Sequence, residues 1–579
     1  MGGKKLRQAM RILLLTHSFN SLTQRLGAEL RNRGHDISVE FDIADSVTEE
    51  AVTLFRPDLI VAPYLRRAIA QSIWSRHVCL IVHPGIVGDQ GPSALDWAIQ
   101  DGLAEWGVTV LQAEAQMDAG PVWSSLNFPL GKAKKSSVYR NQLTQAATEA
   151  VLQAVQRLAS GTFAPQALST LRGVRGRLRP LMKQSDRCLD WTQDDTATVL
   201  RKIRAADGFP GLADTLFGQP CHLFDAWPEA TLRGTPSTVI ARRETALLRA
   251  TLDGAVWIGH VKRADSIKLP AVLAFEAESA GVPQAPLANW WRADTPTWQD
   301  IAYEEAGSVG QLHFEFYNGA MSTVQCERLR AALVWAKQRP TQILVLMGGS
   351  DFWSNGIHLN VIEAASLAQR SAADESWSNI NAMNDLALEL ITTDRQVTVA
   401  ALGGNTGAGG CFLARAADLV WAREAVLLNP HYKNMGNLYG SEYWTYLLPR
   451  RVGIDAARAI MRDRQALTAQ HALEVGFTDA CMAGDATAFG SAVLRRAAEL
   501  AADPELAVMV ARKHEERARD EAVKPLAAYR EDELTHMRRN FYGFDPSYHV
   551  ARHHFVHKSP VSWTPRHLAR HRELGWTIP

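Results

Sequence analysis

Twice along the chain, apolar runs of strand length alternate with segments whose leucines recur at helical spacing. That alternation commits most of the sequence to α/β layers. The first series opens with Met10 to Thr16 (MRILLLT) and passes a helical pattern through Leu22, Leu26 and Leu30. It continues through ISVEF, LIVAPYL, CLIVHPG, the helical DWAIQDGLAEW and VTVLQAEA. A mostly parallel sheet is expected there, with its ligand at the carboxyl ends of the strands. The second series runs from QLHFEFY through QILVLMGGS and VTVAALGG into CFLARAADL.

Between the two lie a basic, glycine-punctuated crossing (RGVRGRLRPLMK) and then short β-like runs (TVIARRE, ALLRATL, AVWIGHVKR), which suggest a small β-barrel. A proline-rich linker with exposed-looking tryptophans follows between Ala280 and Asp300. Past about Asp485 the pattern is helical, and eight of the 18 histidines follow Arg512. The expected division is an α/β domain over 10–180, a barrel over 184–268, a linker over 280–300, a second α/β domain over 305–500 and a helical extension over 501–579. A chain of 579 residues fits that count at about 150 residues per domain.

A formal net charge of +1 offers no field for nucleic acid or an anionic membrane, so neither is expected as a partner. The apolar run near the start is too short for a signal core or a membrane span. Six scattered cysteines without a C-x-x-C pair suit a reducing, cytoplasmic setting.

His83 stands at the end of an apolar strand, where Pro84 and Gly85 force a turn, and Asp118 follows a later strand in MDAGPV. Two titratable groups at strand ends of one sheet suit acyl transfer, with capping of turns as the bland alternative. The run HPGIVGDQGPSALDWAI with GVTVLQAEAQMDAGPV resembles the folate-dependent formyltransferase family, over about residues 10 to 180. DRCLDWTQDDTATVLRKIRA and the β-rich sequence behind it resemble the OB-like carboxyl domain of methionyl-tRNA formyltransferases. The resemblance implies 10-formyltetrahydrofolate as substrate, His83 as the imidazole that stabilises the tetrahedral intermediate and moves protons, and Asp118 as the carboxylate that orients it. Where the family has asparagine two residues before the histidine, this chain has Ile81. An oxyanion donor contributes about 2–4 kcal/mol, so its loss implies a substitute donor, a better nucleophile such as a thiolate, or a weakened site. Gln24 and Arg140 are candidate contacts for folate or for phosphates of coenzyme A.

In the second α/β series, GGNTGAGG follows a strand, but Gly404, Gly407 and Gly409 run in the reverse of the dinucleotide order and no Walker lysine follows. VTVAALGGNTGAGGCFLARAADLVWA and VLMGGSDFWSNGIHL instead resemble the two loops of the crotonase, or enoyl-CoA hydratase/isomerase, family. There backbone N–H groups stabilise a thioester oxyanion, a role the resemblance gives to Gly356 and Gly409. The hydratase glutamates are replaced by Phe412 and His431, so ordinary hydration is not expected. The segment NPHYKNMGNLYGSEYW supplies His431, Tyr432 and Glu442 as candidate catalytic groups; Tyr439 and Trp444 read better as packing.

A formyl-folate site and a CoA-thioester site on one chain resemble a family of hydrogenase maturation factors. That resemblance implies formyl transfer to CoA, decarbonylation of formyl-CoA to CO, and hydrogenase maturation proteins or the hydrogenase large subunit as partners. The alternatives are a deformylase or N-formyltransferase fused to an acyl-CoA module, and a non-catalytic scaffold. His549, His553 and His557 share a helical face, but no nearby Asp, Glu or Cys has a suitable spacing to join them, so no metal is expected. A basic surface touching a CoA phosphate is the preferred reading.

Overall fold

The computed structural model describes residues 9–573. The chain forms two compact units. The first comprises the residues up to Leu189, Ala197–Ala213 and the segment from Pro560; the second comprises Asp190–Thr196 and Asp214–Ser559.

The first unit is built on a six-stranded sheet in the order Asp36–Phe41, Arg11–Thr16, Leu59–Tyr64, Cys79–His83, Glu105–Gln112, Val122–Pro129. The first four strands run parallel, and the last two form an antiparallel hairpin beside them. Both faces are apolar: Leu14, Leu80 and Val82 pack with Leu26 and Val151 on one side, and Leu13, Ile60 and Cys79 with Phe55 and Ile73 on the other. Burial on two faces is why these strands read as continuous apolar runs. The edge strand Asp36–Phe41 is covered by the chain's own distal segment. Val39 N–H donates to Leu568 O (3.0 Å), and the buried Glu40 accepts from Thr564 Oγ1, His571 Nε2 (2.9 Å) and Arg572 Nη2 (2.8 Å). Residues 558–573, expected within a helical extension, thus hold only the short turn Arg570–Arg572 and close a sheet edge.

In the second unit an antiparallel sheet stands where the barrel is expected. Its order is Leu212–Leu216, Gln219–Glu229, Ala255–Arg263, Ala246–Ala250, Val239–Arg243, with Lys268–Pro270 paired to Ala255–Arg263. The segment after Ala280 is more embedded than its prolines suggest. Trp298 is buried beside Trp257, and Asp300 makes a paired ion bridge to Arg328 (2.8 and 3.0 Å).

A further sheet follows in the order Ile301–Ala306, Val309–Phe314, Ile343–Gly348, Val397–Leu402, Leu419–Arg423, Ala480–Met482, parallel after its first pair. A smaller sheet joins Phe352–Ser354, Asn405–Gly407, Leu427–Asn429 and Leu467–Thr468. The helices Leu506–Val523, Leu526–Tyr542 and Ser547–His557 follow, and Leu526, Met537, Phe541 and Tyr548 enter the same core as Phe412 and Tyr432. Among the described residues no helix is long and apolar enough to cross a membrane.

Candidate active sites

His83 ends its strand at the carboxyl edge of the parallel strands and is buried. Its Nε2 lies 3.0 Å from Asp89 Oδ2, and its Nδ1 lies 3.4 Å from Asp118 Oδ1. Neutral imidazole has one N–H, so a ring facing a carboxylate at each nitrogen is best satisfied as imidazolium. Burial alone would lower its pKa, but the hydrogen bonds and charges of Asp118 and Asp89 outweigh it and push the group up to about 9. Burial works against ionisation of Asp118 as well, yet the bond to His83, its charge and the Gly91 N–H (3.2 Å) hold the carboxyl below its ordinary value.

The route by which Asp118 arrives differs from the expectation of two strand ends side by side. The strand Glu105–Gln112 runs antiparallel to Cys79–His83 and pairs Gln112 with Leu80, so it ends at the far edge of the sheet. The following loop turns back, and Asp118 takes a left-handed conformation (φ 55°) to meet His83. Asp89 was missed by sequence reasoning, although it lies within the quoted run. Its signal was Gly85, where a methyl group would fall 2.5 Å from His83 Nε2 and 2.6 Å from Asp89 Oδ2. Ile81 projects to the same sheet face as His83 by strand alternation and packs with Ile60, Ala62 and Cys79.

Gln24 lies in the first turn of the helix Ser21–Asn32, with its Nε2 donating to Phe19 O (2.9 Å). Arg140 lies in the π-turn Tyr139–Leu143. Asn20, which caps the Gln24 helix, donates Nδ2 to Tyr139 Oη (3.0 Å), so these two segments meet.

In the second unit Gly356 and Gly409 come together: a methyl group on Gly356 (φ 77°) would fall 3.2 Å from Gly409 N. Their roles separate, however. Gly356 donates its N–H to Ser354 Oγ (3.1 Å), so the expectation that it supplies an oxyanion donor does not hold in this arrangement. Gly409 opens the helix Gly409–Arg415, where a backbone N–H has no intrahelical acceptor. A side chain on Gly409 would collide with Glu442 Oε1, which places that carboxyl directly against the Gly409 backbone.

Tyr432 Oη lies 2.5 Å from Glu442 Oε2 and 2.9 Å from Ser441 O. One hydroxyl proton cannot serve both at once: Tyr432 donates to Glu442 Oε2 while that carboxyl is ionised, and can turn to Ser441 O once Glu442 is protonated. Burial pushes Glu442 up to about 7 against the lowering effect of these bonds, and burial with the Glu442 charge raises the Tyr432 phenol well above its ordinary value. Glu442 and Tyr443 are both left-handed (φ 60° each). Asn384 Oδ1 fixes this turn by accepting Glu442 N–H (2.8 Å), and Glu533 by accepting Tyr443 N–H (2.9 Å) and Thr445 N–H (2.8 Å). Glu533 lies some 90 residues further along the chain and was not legible from sequence. Phe412, in the hydratase glutamate position, stacks on Tyr432 at 5.4 Å between ring centroids, and His431 is buried next to it in the chain. Tyr439 stacks on His536 (4.1 Å) and packs on Trp444, as a packing role requires.

Fold and sites together define a formyltransferase module followed by a crotonase-type module on one chain. Family models agree: "Formyl transferase" matches residues 40–155, "Formyl transferase, C-terminal domain" 181–276 and "Enoyl-CoA hydratase/isomerase" 309–566. A methionyl-tRNA formyltransferase of Aromatoleum aromaticum is 28% identical over 248 residues, 41% of this chain and 75% of that enzyme. The hydrogenase maturation factor HoxX of Bradyrhizobium diazoefficiens is 54% identical over 97% of both chains. The crystal structure of HypX from Aquifex aeolicus in complex with tetrahydrofolic acid superposes with a TM-score of 0.95 at 45% identity, covering 99% of this chain and 100% of that one. The chain belongs to the HoxX/HypX family of hydrogenase maturation factors.

Proposed function

We propose that this chain makes carbon monoxide for hydrogenase maturation in two steps. The formyl group of 10-formyltetrahydrofolate passes to the thiol of coenzyme A at His83, and the resulting formyl-CoA is decarbonylated at Glu442. The folate-bound state of the Aquifex relative and the formyltransferase match support the first step; the crotonase-type module supports a CoA thioester as the second substrate.

At the first site the CoA thiol gives up its proton to water and the thiolate adds to the formyl carbon; as the C–N bond breaks, His83, held as a cation by Asp118 and Asp89, gives a proton to the departing folate nitrogen and regains one from water. A thiolate is a strong enough nucleophile to suit a site where Ile81 removes one oxyanion donor. Gln24 and Arg140 are assigned to the polar ends of folate or CoA.

At the second site the formyl oxygen faces Gly409 N–H. Glu442 takes the formyl proton, the C–H electron pair stays on carbon as the C–S pair leaves with sulfur, and the Tyr432–Glu442 pair returns the proton to the thiolate. The products are CO and CoA, with no change of oxidation state to balance. His431, buried next to Tyr432 in the chain, is a further candidate at this site. The observation that carries this reading is the buried 2.5 Å Tyr432–Glu442 pair against Gly409, with a carboxyl pKa of about 7, near the optimum for a general base at neutral pH. The CO passes to hydrogenase maturation proteins or to the large subunit.

The test is CO formation, followed by the spectral shift of reduced haemoglobin. CO should require both 10-formyltetrahydrofolate and CoA, and Glu442→Gln should abolish its release from formyl-CoA supplied directly. Full release by Glu442→Gln would refute the assignment; formate without CO would make the chain a deformylase.

A further inference from the structure

The helix Ser547–His557 places His553 and His557 one turn apart on the same face, with ring centroids 4.1 Å from each other. In sequence these histidines have no acidic neighbour. The fold brings one from nearly 200 residues away: Glu363, on the helix Leu359–Leu367, is 4% exposed and aims a single oxygen at both rings. Its Oε1 lies 3.1 Å from His553 Nδ1 and 3.0 Å from His557 Nε2, and the three donor atoms all fall within 4.8 Å of one another.

Adjacent donors around a tetrahedral zinc ion, with bonds of about 2.0–2.2 Å, stand about 3.3 Å apart, so modest shifts admit an ion among these atoms. The carboxylate is also held from behind. Arg552 Nε donates to Glu363 Oε2 (2.8 Å), which leaves Oε1 oriented toward the imidazoles, as a supporting shell does at a metal site. His549 is diverted from the cluster: its Nε2 faces Phe541 O (2.9 Å) and its Nδ1 faces Arg552 (2.7 Å). The rim is open, since the His553 side chain is 55% exposed and that of His557 30%.

We propose that Glu363, His553 and His557 form a site for a late first-row divalent cation such as Zn²⁺, bound by two imidazoles and one carboxylate with the remaining position open to water. The ion clamps the helix Ser547–His557 to Leu359–Leu367. This site is separate from the residues assigned to chemistry, and it reverses the expectation that no metal is bound.

The experiment uses the full chain, stripped with chelator and titrated with Zn²⁺ in a calorimeter, then with Co²⁺ followed by visible absorption. One equivalent should bind, and the melting temperature should rise on addition of Zn²⁺. His553→Ala and His557→Ala, at partly exposed positions, should each weaken binding by roughly tenfold or more and lose the melting shift. His554→Ala, on the exposed side of the same helix, should retain both. The absorption bands should lack thiolate charge transfer, which separates this site from the free cysteines. Equal affinity and stoichiometry in the parent and a His553→Ala/His557→Ala double variant would overturn the proposal, as would absence of saturable one-to-one binding in the parent.

Discussion

Replacing Asp89 by asparagine removes one of the two carboxylates that hold His83 as a cation, while keeping size and a polar tip. The ring is buried with Asp89 at 3.0 Å and Asp118 at 3.4 Å, and its pKa stands at about 9 against an ordinary 6.5. A hydrogen bond to a charged group contributes about 1.5–3 kcal/mol. At about 1.36 kcal/mol per unit, the His83 pKa should fall by roughly one to two units, to between about 7 and 8. The same change alters stability. Because the folded pKa lies above the unfolded one, the imidazolium adds stability that is fully present below about pH 6.5 and is lost as pH rises through about 9. A rise from 6.5 to about 9 corresponds to about 3 kcal/mol. Asp89→Asn should therefore lower stability by about 1.5–3 kcal/mol near pH 6 and much less above pH 9. The assay is an NMR titration of labelled histidine, with His83→Gln assigning the resonance, together with denaturant unfolding at both pH values. An unchanged His83 pKa, or a stability loss of equal size at both pH values, would refute the argument that Asp89 acts through the charge of His83.

Tyr432→Phe removes a bond that lowers the Glu442 pKa, so the acid limb of CO release from formyl-CoA should move to higher pH than the parent's value of about 7; a pH–rate profile reads this directly. Gly409→Ala drives a methyl group into Glu442 and should cut decarbonylation by about 10²–10³-fold with an unchanged circular dichroism spectrum, whereas formyl transfer measured at the folate should persist. Glu40→Gln weakens a buried cluster with His571, Thr564 and Arg572 and should cost about 3–5 kcal/mol, with hydrogen exchange rising across Asp36–Phe41. Those bonds hold the Glu40 pKa below 4.5 despite burial, so their contribution is present above that pH and is lost as pH falls through the folded value. Acid should accordingly expose the same strand in the parent.

Much of the fold was legible because burial on two faces leaves a continuous apolar run in the sequence, and MRILLLT, CLIVH and VTVAAL each became a central strand. His83 was legible for a local reason: a strand that meets Pro-Gly must turn at its last residue. The neighbourhood of Tyr432 and Glu442 was legible through resemblance, since those residues share a segment. Strand direction was not: the hairpin Glu105–Pro129 runs against its neighbours, and alternation of polarity carries no sign for parallel or antiparallel pairing. That the Gly356 N–H is taken by Ser354 Oγ was not legible either, because whether a backbone N–H is spent on a nearby hydroxyl depends on φ and ψ rather than on residue type.

By itself, then, the sequence determined local periods, turns and the identities of reactive groups, because those follow from neighbours within a few positions. Tertiary structure alone decided which distant charges share a desolvated volume: Asp89 with Asp118 around His83, Glu533 and Asn384 behind Glu442, Glu363 beneath His553 and His557, and the distal segment over Glu40. These pairings set protonation and ligand geometry, and they depend on packing between segments far apart in the chain, which no local pattern encodes.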